Sequence, residues 1–483
     1  MFAPDHIAGL IAEEFQHPLL PLQARAAWAL ARFVATEKDD AAFILKGYAG
    51  TGKTSLIAAL VRVLRKLHRP VVLLAPTGRA AKVFSHHAGA VAYTIHKVIY
   101  RQQTFNGEDT KFSLGYNKLK HALFIVDEAS MLANGGSSLS VFGAGMVMDD
   151  LVRFVYEGEG CRLLLVGDTA QLPPVGEDES PALQKEVLES YGLLVGDVSL
   201  TEVVRQSKTS GVLANATRLR ELIAEDFPSL PCITGSEQGE VRFITGADFL
   251  EELEEAYRDF GEEDTIIVTR SNKRANLYNQ GIRARVFERE EELERGDRIM
   301  AVKNNYFWTE QAWKGLQPDE TLPLDFIANG DTAEVERIRN VHEQHGFLFA
   351  DATLRFTDYD NFELDCRILL STLKSESPSL TYDESQQLYE NVLADYGYIA
   401  SKKERMKQLR QDPYYNALQI KYAYAVTCHK AQGGQWSRVF VDQGFLSEDM
   451  IDVSYLRWLY TAFTRTTDRL YLINWPEAQK KEI

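Results

Sequence analysis

Residues 42 to 200 contain short apolar runs, each followed by a turn rich in Gly, Thr, Asp or Pro and then by a helical pattern. The runs read AFILKG, PVVLLAP, ALFIVDE and CRLLLVGD. Continuous apolar strands that alternate with helices are typical of a parallel sheet covered on both faces. Because ligands bind at the carboxyl ends of the strands in such sheets, the turns after these runs are the candidate functional segments.

A second set of apolar runs predicts a second α/β domain. These runs are TIIVTR (265–270), KYAYAVTCHK (421–430), SRVFVD (437–442) and DRLYLIN (468–474). Residues 330 to 370 alternate apolar and polar positions, which favours a small β-rich insertion, and residues 373 to 412 are charged with helical spacing. Asn106-Gly107, between strand-like residues, predicts a hairpin within 101 to 120.

The composition is that of a folded protein with several domains. Of the 483 residues, 45% are hydrophobic and 25% charged, and this length favours two or more domains. No run approaches the roughly 18 apolar residues of a membrane span, and no basic segment precedes an apolar stretch at the N-terminus, so a cytoplasmic protein is expected. The net charge of −16 argues against coating nucleic acid through a global positive field but is compatible with a local groove.

The four cysteines lie far apart and form no CxxC pair. Neither a zinc knuckle nor a disulfide framework is indicated. We expect them to be small core residues: Cys161, Cys232, Cys366 and Cys428.

The segment GYAGTGKT, residues 47–54, matches the phosphate-binding loop in its required context between a strand and a helix. Glycines let the main-chain N–H groups curl around the β-phosphate, Lys53 brings a positive charge to the β- and γ-phosphates, and the Thr54 hydroxyl can bind Mg²⁺. The predicted nucleotide-binding residues of this segment are Gly47, Ala49, Gly50, Thr51, Gly52, Lys53, Thr54 and Ser55.

Two further apolar strands end in polar side chains suited to hydrolysis. FIVDE at 124–128 presents Asp127, which can hold Mg²⁺ through water, and Glu128, which can orient or deprotonate the attacking water. Gln171 follows the strand CRLLLVGD and can sense the γ-phosphate, because its amide both donates and accepts hydrogen bonds.

The order of seven segments resembles motifs I, Ia, II, III, IV, V and VI of superfamily 1 helicases. They read GYAGTGKT, LLAPTGRAAK, IVDEASM, GDTAQLPPVG, LTEVVRQ, YAVTCHKAQGGQW and YTAFTRTTDRLYL. The sequences of these motifs are similar to those of the RecD and Dda branch, superfamily 1B, whose members travel 5′ to 3′. The resemblance covers about residues 20 to 475, and seven ordered matches are more specific than any single one.

The resemblance implies further nucleotide contacts. Gln23 matches the glutamine that reads the adenine edge, and Arg205 and Arg465 match two arginines that reach the γ-phosphate. A guanidinium suits that role because it stays charged and can bind two phosphate oxygens at once. Gln432 and Gly433 fall where the family lines the interdomain cleft.

The same resemblance implies a track for single-stranded DNA, which needs backbone contacts and a few flat surfaces for bases. The candidate contacts are Thr77, Arg79, Thr94 and His96 on the first domain, and Asn272, Thr427 and His429 on the second. The hairpin corresponds to the pin that splits the duplex, with Phe105 or Phe112 as the wedge.

The implied fold is α/β, with two RecA-like P-loop domains on parallel sheets, a small hairpin insertion and a β-rich SH3-like accessory insertion. The expected domains are 1A at 1–177 with its pin at about 101–120, 2A at 178–329 and 421–483, and the accessory domain 2B at 330–420. The resemblance also implies ATP and Mg²⁺ as cofactors, single-stranded and tailed duplex DNA as partners, and a monomer.

Two other classes of P-loop protein lack their characteristic segments in this sequence. A GTPase would favour an NKxD-like segment after the third strand and a transport ATPase an LSGGQ-like segment, and the sequence contains neither. An ATP-dependent switch or remodeller that closes on a strand without unwinding stays open as the alternative. RNA as the substrate also stays open, because no motif indicates a 2′-hydroxyl contact.

Overall fold

The computed structural model describes residues 3–482 except 16, 106–107, 135–145, 204–209, 226–228, 316–321, 325 and 448–449. For residues 101–105 and 108–113 it describes the backbone but not the side chains.

The first 200 residues supply seven helices and eight strands within the described ranges. They are α1 (Pro4–Glu14), α2 (Pro21–Ala35), β1 (Ala41–Gly47), α3 (Lys53–Lys66), β2 (Val71–Ala75), α4 (Gly78–Ala88), β3 (Ala92–Thr94), α5 (Ile95–Ile99), β4 (Tyr100–Phe105), β5 (Glu108–Leu114), β6 (Leu123–Val126), α6 (Val147–Glu157), β7 (Arg162–Gly167), α7 (Lys185–Ser190) and β8 (Leu194–Leu200).

The remaining helices and strands follow in chain order. They are α8 (Gly211–Ile223), β9 (Ile233–Gly235), β10 (Val241–Ile244), α9 (Phe249–Phe260), β11 (Thr265–Thr269), α10 (Asn272–Arg285), β12 (Arg298–Ala301), α11 (Phe307–Trp313), β13 (Thr332–Gln344), β14 (Phe347–Phe356), β15 (Phe362–Leu369), α12 (Tyr382–Asp395), α13 (Lys402–Arg410), β16 (Leu418–Tyr422), β17 (Ala425–Thr427), α14 (Cys428–Ala431), β18 (Trp436–Asp442), α15 (Val453–Phe463), β19 (Thr466–Ile473) and β20 (Lys480–Glu482).

The first sheet is parallel and has the order β3-β2-β6-β7-β1-β8. Successive residues of β1 enter opposite cores: Phe43 and Leu45 pack into one, and Ala42 and Ile44 into the other. A strand with helices over both faces therefore has no polar side, which explains its continuous apolar sequence. The fold class predicted from these runs is confirmed.

The edge strand β8 pairs with β1 from Ala41↔Leu194 to Gly47↔Leu200. The first sheet therefore extends beyond the expected domain boundary at residue 177. The strand LVGDVSL has mostly exposed or half-buried residues, as an edge strand does, so its apolar signal is weak. We propose that the first domain extends at least to Leu200.

The second sheet is also parallel, with the order β10-β19-β18-β11-β17. One of its faces shares a core with a closed barrel of order β12-β13-β14-β15-β16. Ile267 and Phe440 from the sheet belong to the same cluster as Ile299 and Val335 from the barrel. The barrel is thus packed directly on the second sheet.

The barrel uses more of the chain than the predicted insertion at 330–420. Its strands β13 to β15 lie inside that range, but β12 comes from residues before it, and β16 crosses its end. The run KYAYAVTCHK, predicted as one strand of the second domain, divides at Ala423-Tyr424: its first residues close the barrel and its next residues form β17. The charged segment, predicted to be helical, contains two helices, α12 and α13.

The predicted hairpin is present as β4 and β5, which pair antiparallel with Phe105 opposite Glu108. Its turn Asn106-Gly107 and the side chains of Phe105 and Phe112 lie outside the described residues. The prediction of four buried cysteines is wrong for Cys232, which is exposed, whereas the other three are buried. No helix in the described ranges combines the length and apolar character that crossing a bilayer requires.

Candidate nucleotide site at the interface of the two sheets

The phosphate-binding loop joins β1 to α3 in a conformation that its glycines permit. Gly50 and Gly52 have φ angles of 73° and 86°, in the left-handed region that side chains disfavour. A Cβ atom at Gly47 would lie 2.8 Å from Lys53 Cγ, and one at Gly52 would lie 2.6 Å from Nε2 of Gln23. The loop is therefore a cradle that a side chain at these positions would fill.

Lys53, the first residue of α3, folds back onto this cradle. Its ammonium donates hydrogen bonds to the carbonyl oxygens of Gly47 and, at 3.0 Å, Tyr48. It also lies 3.9 Å from Oδ2 of Asp168. Thr51 is fully buried and its hydroxyl donates to Tyr48 O at 2.7 Å. A phosphate group bound here would offer Lys53 stronger partners than neutral carbonyls.

Gln23 contacts the loop from α2. Its Oε1 accepts the Leu20 N–H at 3.0 Å, and its Nε2 donates to Thr51 O at 2.9 Å. Gln23 is only 3% exposed, and both ends of its side-chain amide are hydrogen-bonded to backbone groups. Reading an adenine edge would require Gln23 to exchange one of these bonds or to use its remaining donor and acceptor capacity.

Asp127 and Glu128 follow β6, the third strand of the sheet. Burial, with the Glu128 carboxylate as the second cause, raises the pKa of Asp127 to about 7. Asp127 Oδ1 accepts the Glu128 N–H at 2.9 Å. Glu128 has a φ angle of 52°, a left-handed conformation that costs a non-glycine residue about 1–2 kcal/mol. This strain lies at the residue predicted to handle the attacking water.

The oxygen donors at this edge fit a Mg²⁺ ion. Thr54 is half-buried on the first turn of α3, Ser55 beside it is exposed, and Asp127 ends β6. One hydroxyl and one carboxylate are the small number of ligands that Mg²⁺ takes from a protein while retaining water and phosphate oxygens. A bound cation would also favour the ionised form of Asp127, which burial alone disfavours.

The turn after β7 holds Asp168 and Gln171. Asp168 is 1% exposed, and its Oδ1 accepts the Ala170 N–H at 2.9 Å. Gln171 is 5% exposed, and its Oε1 is buried with no hydrogen-bond partner among the described residues. Buried polar atoms without partners are rare, so this oxygen has the capacity to accept a hydrogen bond from a bound water or ligand.

The second sheet reaches this site through α15 and the segment after α14. The Tyr460 hydroxyl accepts the Ala49 N–H of the cradle at 2.8 Å and donates to Asp168 Oδ2 at 2.7 Å. Thr461 Oγ1 accepts the Leu172 N–H at 2.8 Å, and Gln432 Nε2 donates to Leu172 O at 2.7 Å. The two sheets are thus joined by buried hydrogen bonds at the predicted phosphate site.

Arg465 lies just beyond α15 and is 3% exposed. Its guanidinium donates to Thr461 O at 3.0 Å, to Gly434 O at 3.2 Å and to the Thr464 hydroxyl at 3.3 Å. All of these partners belong to the second sheet's own segments. Arg205, the other predicted arginine, lies outside the described residues.

Gly433 lies at a close approach between the two sheets, next to α4. Its φ angle is 75°, and a Cβ atom there would lie 2.9 Å from Ala80 Cβ and 3.4 Å from the Thr77 hydroxyl. Its predicted place in the interdomain cleft is therefore against the segment containing motif Ia. Its nearest neighbours do not include the phosphate cradle.

The candidate DNA contacts on the first sheet lie around α4 and α5. Thr77 and Thr94 cap these helices by accepting N–H groups of Ala80 and Lys97 at 3.2 and 3.3 Å, which leaves their hydroxyl protons free to donate. Arg79 donates to Gln435 O at 3.2 Å, and its guanidinium lies 4.1 Å from the Trp436 ring centre.

His96 packs against Tyr100 and Phe326, with ring centres 5.4 and 5.7 Å away. Burial lowers the pKa of His96 to about 4, so the ring is neutral near pH 7. It can therefore stack or hydrogen-bond but cannot attract a phosphate as a cation.

The candidates on the second sheet lie at helix beginnings. Asn272 is the first residue of α10, Thr427 precedes α14, and His429 is exposed on α14. Asn272 comes shortly after β11 and Thr427 is the last residue of β17, and these two strands are neighbours in the sheet. Phe105, the remaining candidate, has no described side chain.

Two residues of the site were missed by the sequence analysis. Asp168 lies in GDTAQLPPVG and Tyr460 in YTAFTRTTDRLYL, two of the seven helicase-like motifs, but neither residue was assigned a role. A usable signal existed for Tyr460, because a buried tyrosine hydroxyl normally requires a hydrogen-bond partner.

Family models match both sheets. Residues 23–226 match the family described as an AAA domain, and residues 422–473 match the UvrD-like helicase C-terminal domain. The first match contains the phosphate-binding loop and the turns after β6 and β7. The second contains β17 to β19 with α15, the helix that contacts the loop.

Three similar proteins illustrate the resemblance. The ATP-dependent RecD2 DNA helicase of Deinococcus radiodurans is 32% identical over 177 residues, which are 36% of this chain and 21% of that protein. The uncharacterized protein R530 of Acanthamoeba polyphaga mimivirus is 22% identical over 502 residues, covering 89% of this chain and 94% of that one. A solved structure of two coordinating Pif1 helicases at forked duplex DNA is 16% identical, covers 94% of this chain and 92% of its own, and has a TM-score of 0.46.

The matched part of this chain thus spans about a fifth of the length of RecD2. The AAA match and the helicase C-terminal match occur in the order in which the seven motifs run along the sequence. The chain therefore contains a segment similar to an AAA domain and, after it, a segment similar to the UvrD-like helicase C-terminal domain.

Proposed function

We propose that this protein is an ATP-dependent DNA helicase that moves 5′ to 3′ along single-stranded DNA and unwinds duplexes. The observation that carries the proposal is the pair of bonds made by Tyr460, one to the phosphate cradle at Ala49 and one to Asp168. A nucleotide held by the cradle lies at the junction of two sheets, so its binding and hydrolysis can change how the sheets sit together.

The first sheet supplies the groups that bind and attack the triphosphate. Lys53 turns from the loop carbonyls to the β- and γ-phosphates, and the loop N–H groups surround the β-phosphate. Glu128 orients the attacking water and accepts its proton. Gln171, whose buried Oε1 has no partner in the described part of the chain, accepts a hydrogen bond from that water while its NH₂ faces the γ-phosphate.

Thr54 and Asp127 are the proposed Mg²⁺ ligands. When bound, the ion supplies positive charge against the β- and γ-phosphate oxygens. Asp127 must be ionised for this role, and its raised pKa means that protonation competes with the metal near neutral pH.

The second sheet supplies Arg465. Arg465 exchanges its carbonyl partners at Thr461 and Gly434 for phosphate oxygens, which are stronger acceptors. Because Thr461 also binds the Leu172 N–H, a shift of Arg465 is transmitted to the turn that carries Gln171. Arg205 acts as the second arginine.

DNA runs across the helix beginnings of both sheets in this proposal. Thr77 and Thr94 on the first sheet and Asn272 and Thr427 on the second bind backbone phosphates, and alternating grip during the cycle moves the strand. His96 and His429 contribute neutral surfaces, and the β4–β5 hairpin splits the duplex. The barrel at the second sheet is the proposed accessory domain.

Hydrolysis measured with and without single-stranded DNA, followed by strand displacement on duplexes with one 5′ or one 3′ tail, tests the proposal. We expect DNA to stimulate hydrolysis and only the 5′-tailed duplex to be unwound. Displacement only from a 3′ tail would contradict the branch. DNA-stimulated hydrolysis without displacement on either duplex would favour the switch or remodeller instead.

A further inference from the structure

Tyr460 is a polar link inside an apolar helix. It is 1% exposed, and its ring belongs to the core between α15 and the second sheet. Its hydroxyl lies at the edge of that core and is hydrogen-bonded to two groups of the first sheet, the Ala49 N–H at 2.8 Å and Asp168 Oδ2 at 2.7 Å. Packing alone does not require this arrangement, since phenylalanine would fill the same space.

The direction of the two bonds is fixed by chemistry. The Ala49 N–H can only donate and an ionised Asp168 can only accept, so the hydroxyl accepts from the first and donates to the second. Burial, together with the Asp168 charge, raises the pKa of Tyr460 well above its ordinary value, so the proton stays on the tyrosine. The same Asp168 oxygen lies 3.9 Å from the Lys53 ammonium.

We infer that Tyr460 is a positioning residue for ATP hydrolysis, because its hydroxyl sets the spacing between the cradle at Ala49 and the carboxylate of Asp168 when the two sheets are together. The inference rests on the proposed function only as far as hydrolysis. The neighbouring bond from the Leu172 N–H to Thr461 places the same helix against the turn of Gln171.

Removal of the hydroxyl acts on turnover more than on affinity. Lys53 and the loop N–H groups other than that of Ala49, which hold the triphosphate before Arg465 reaches it, are built by the first sheet alone. Without the Tyr460 hydroxyl, Ala49 N–H and Asp168 lose a partner only when the sheets are together, so that arrangement becomes less populated. ATP still binds the cradle, but the complete site forms less often.

Tyr460→Phe tests this, with Tyr455→Phe as the matched control. Tyr455 lies on the same helix and is 2% exposed, and its hydroxyl donates to Gln443 at 2.6 Å and accepts from Gln479 at 2.9 Å, both within the second lobe. We expect Tyr460→Phe to lower kcat roughly tenfold or more and to change KM by less than about threefold. Tyr455→Phe should leave kcat within about twofold, although both variants lose a buried hydrogen bond.

A double-mutant cycle with Asp168→Asn tests whether Tyr460 affects turnover through Asp168. If Tyr460 acts through Asp168, Tyr460→Phe should reduce kcat by less than about twofold in the Asp168→Asn background. Equal effects of Tyr460→Phe and Tyr455→Phe on kcat, an effect on KM alone, or full additivity in the cycle would overturn the inference.

These readouts separate the inference from the helicase proposal. A chain that hydrolyses ATP but displaces no strand contradicts the helicase function, and the Tyr460 comparison still gives its answer. A chain that hydrolyses no ATP contradicts both.

Discussion

Gly433→Ala is predicted to push the two sheets apart at a close approach outside the nucleotide site. The added Cβ would lie 2.9 Å from Ala80 Cβ, whereas carbon atoms in good contact are about 3.5–4.0 Å apart. The overlap involves the backbone-proximal atoms of α4, so no flexible side chain can move away to relieve it.

The cost of the substitution has two parts. A side chain at the φ angle of 75° costs about 1–2 kcal/mol whatever surrounds it. Overpacking against Ala80 adds about 1–3 kcal/mol if the contact is kept. The chain can avoid the second cost by separating the sheets, so we expect kcat for ATP hydrolysis to fall between about tenfold and a hundredfold.

Gly89→Ala is the matched control for the backbone cost. Gly89 ends α4 with a φ angle of 62°, and a Cβ atom there meets nothing within 4 Å. Gly89→Ala should have a similar backbone cost, which lowers the melting temperature, and it should leave kcat within about twofold.

Ala80→Gly combined with Gly433→Ala is the rescue variant, because it removes the opposing Cβ. The double variant should regain most of the lost kcat, despite about 1 kcal/mol of helix propensity lost in α4. Two results would contradict a steric clash at Gly433: an effect of Gly433→Ala on kcat no larger than that of Gly89→Ala, or no recovery of kcat on adding Ala80→Gly.

Three further predictions concern single side chains. Lys53→Ala should abolish hydrolysis, because the β- and γ-phosphates lose their cation, while single-stranded DNA affinity in a fluorescence titration stays within about threefold. Gln171→Ala should lower kcat about a hundredfold with little change in KM, since its buried amide contacts the attacking water only during reaction; an unchanged kcat would contradict that role. His96 has a folded pKa of about 4 against its ordinary 6.5, so the unfolded chain takes up the proton first and stability is lost as the pH falls from 6.5 towards 4. Thermal melts of His96→Gln should lose part of that pH dependence, and identical profiles would refute the burial argument.

The elements around the phosphate site were predictable because each chemical motif follows a strand buried on both faces. β1, β6 and β7 have continuous apolar sequences that no exposed loop would need, and their turns carry the glycines and carboxylates. The β4–β5 hairpin was predictable from a local turn signal.

The pairings that were not predictable join distant parts of the chain. β8 pairs with β1 across about 150 residues, and β12 is only four residues long, too short to show a period. The division of KYAYAVT between a barrel and a sheet depends on where Ala423 and Tyr424 turn, which the apolar pattern does not record.

The interface chemistry was the least predictable part of the site. Tyr460 and Thr461 have ordinary helical spacing, and only the packing of α15 against the turn after β7 brings them to Asp168 and Leu172. The resemblance to helicases assigned Arg465, but its present partners at Thr461 and Gly434 follow from the tertiary structure alone.

Single-turnover ATP hydrolysis by Arg465→Ala, with nucleotide affinity measured on the same variant, tests whether one sheet binds the triphosphate and the other completes the site with a cation. An arginine supplied to the γ-phosphate contributes about 10³–10⁵ to the rate, so we predict a loss of that order with nucleotide affinity changed less than about tenfold. A rate within about threefold of the unsubstituted chain would contradict the account.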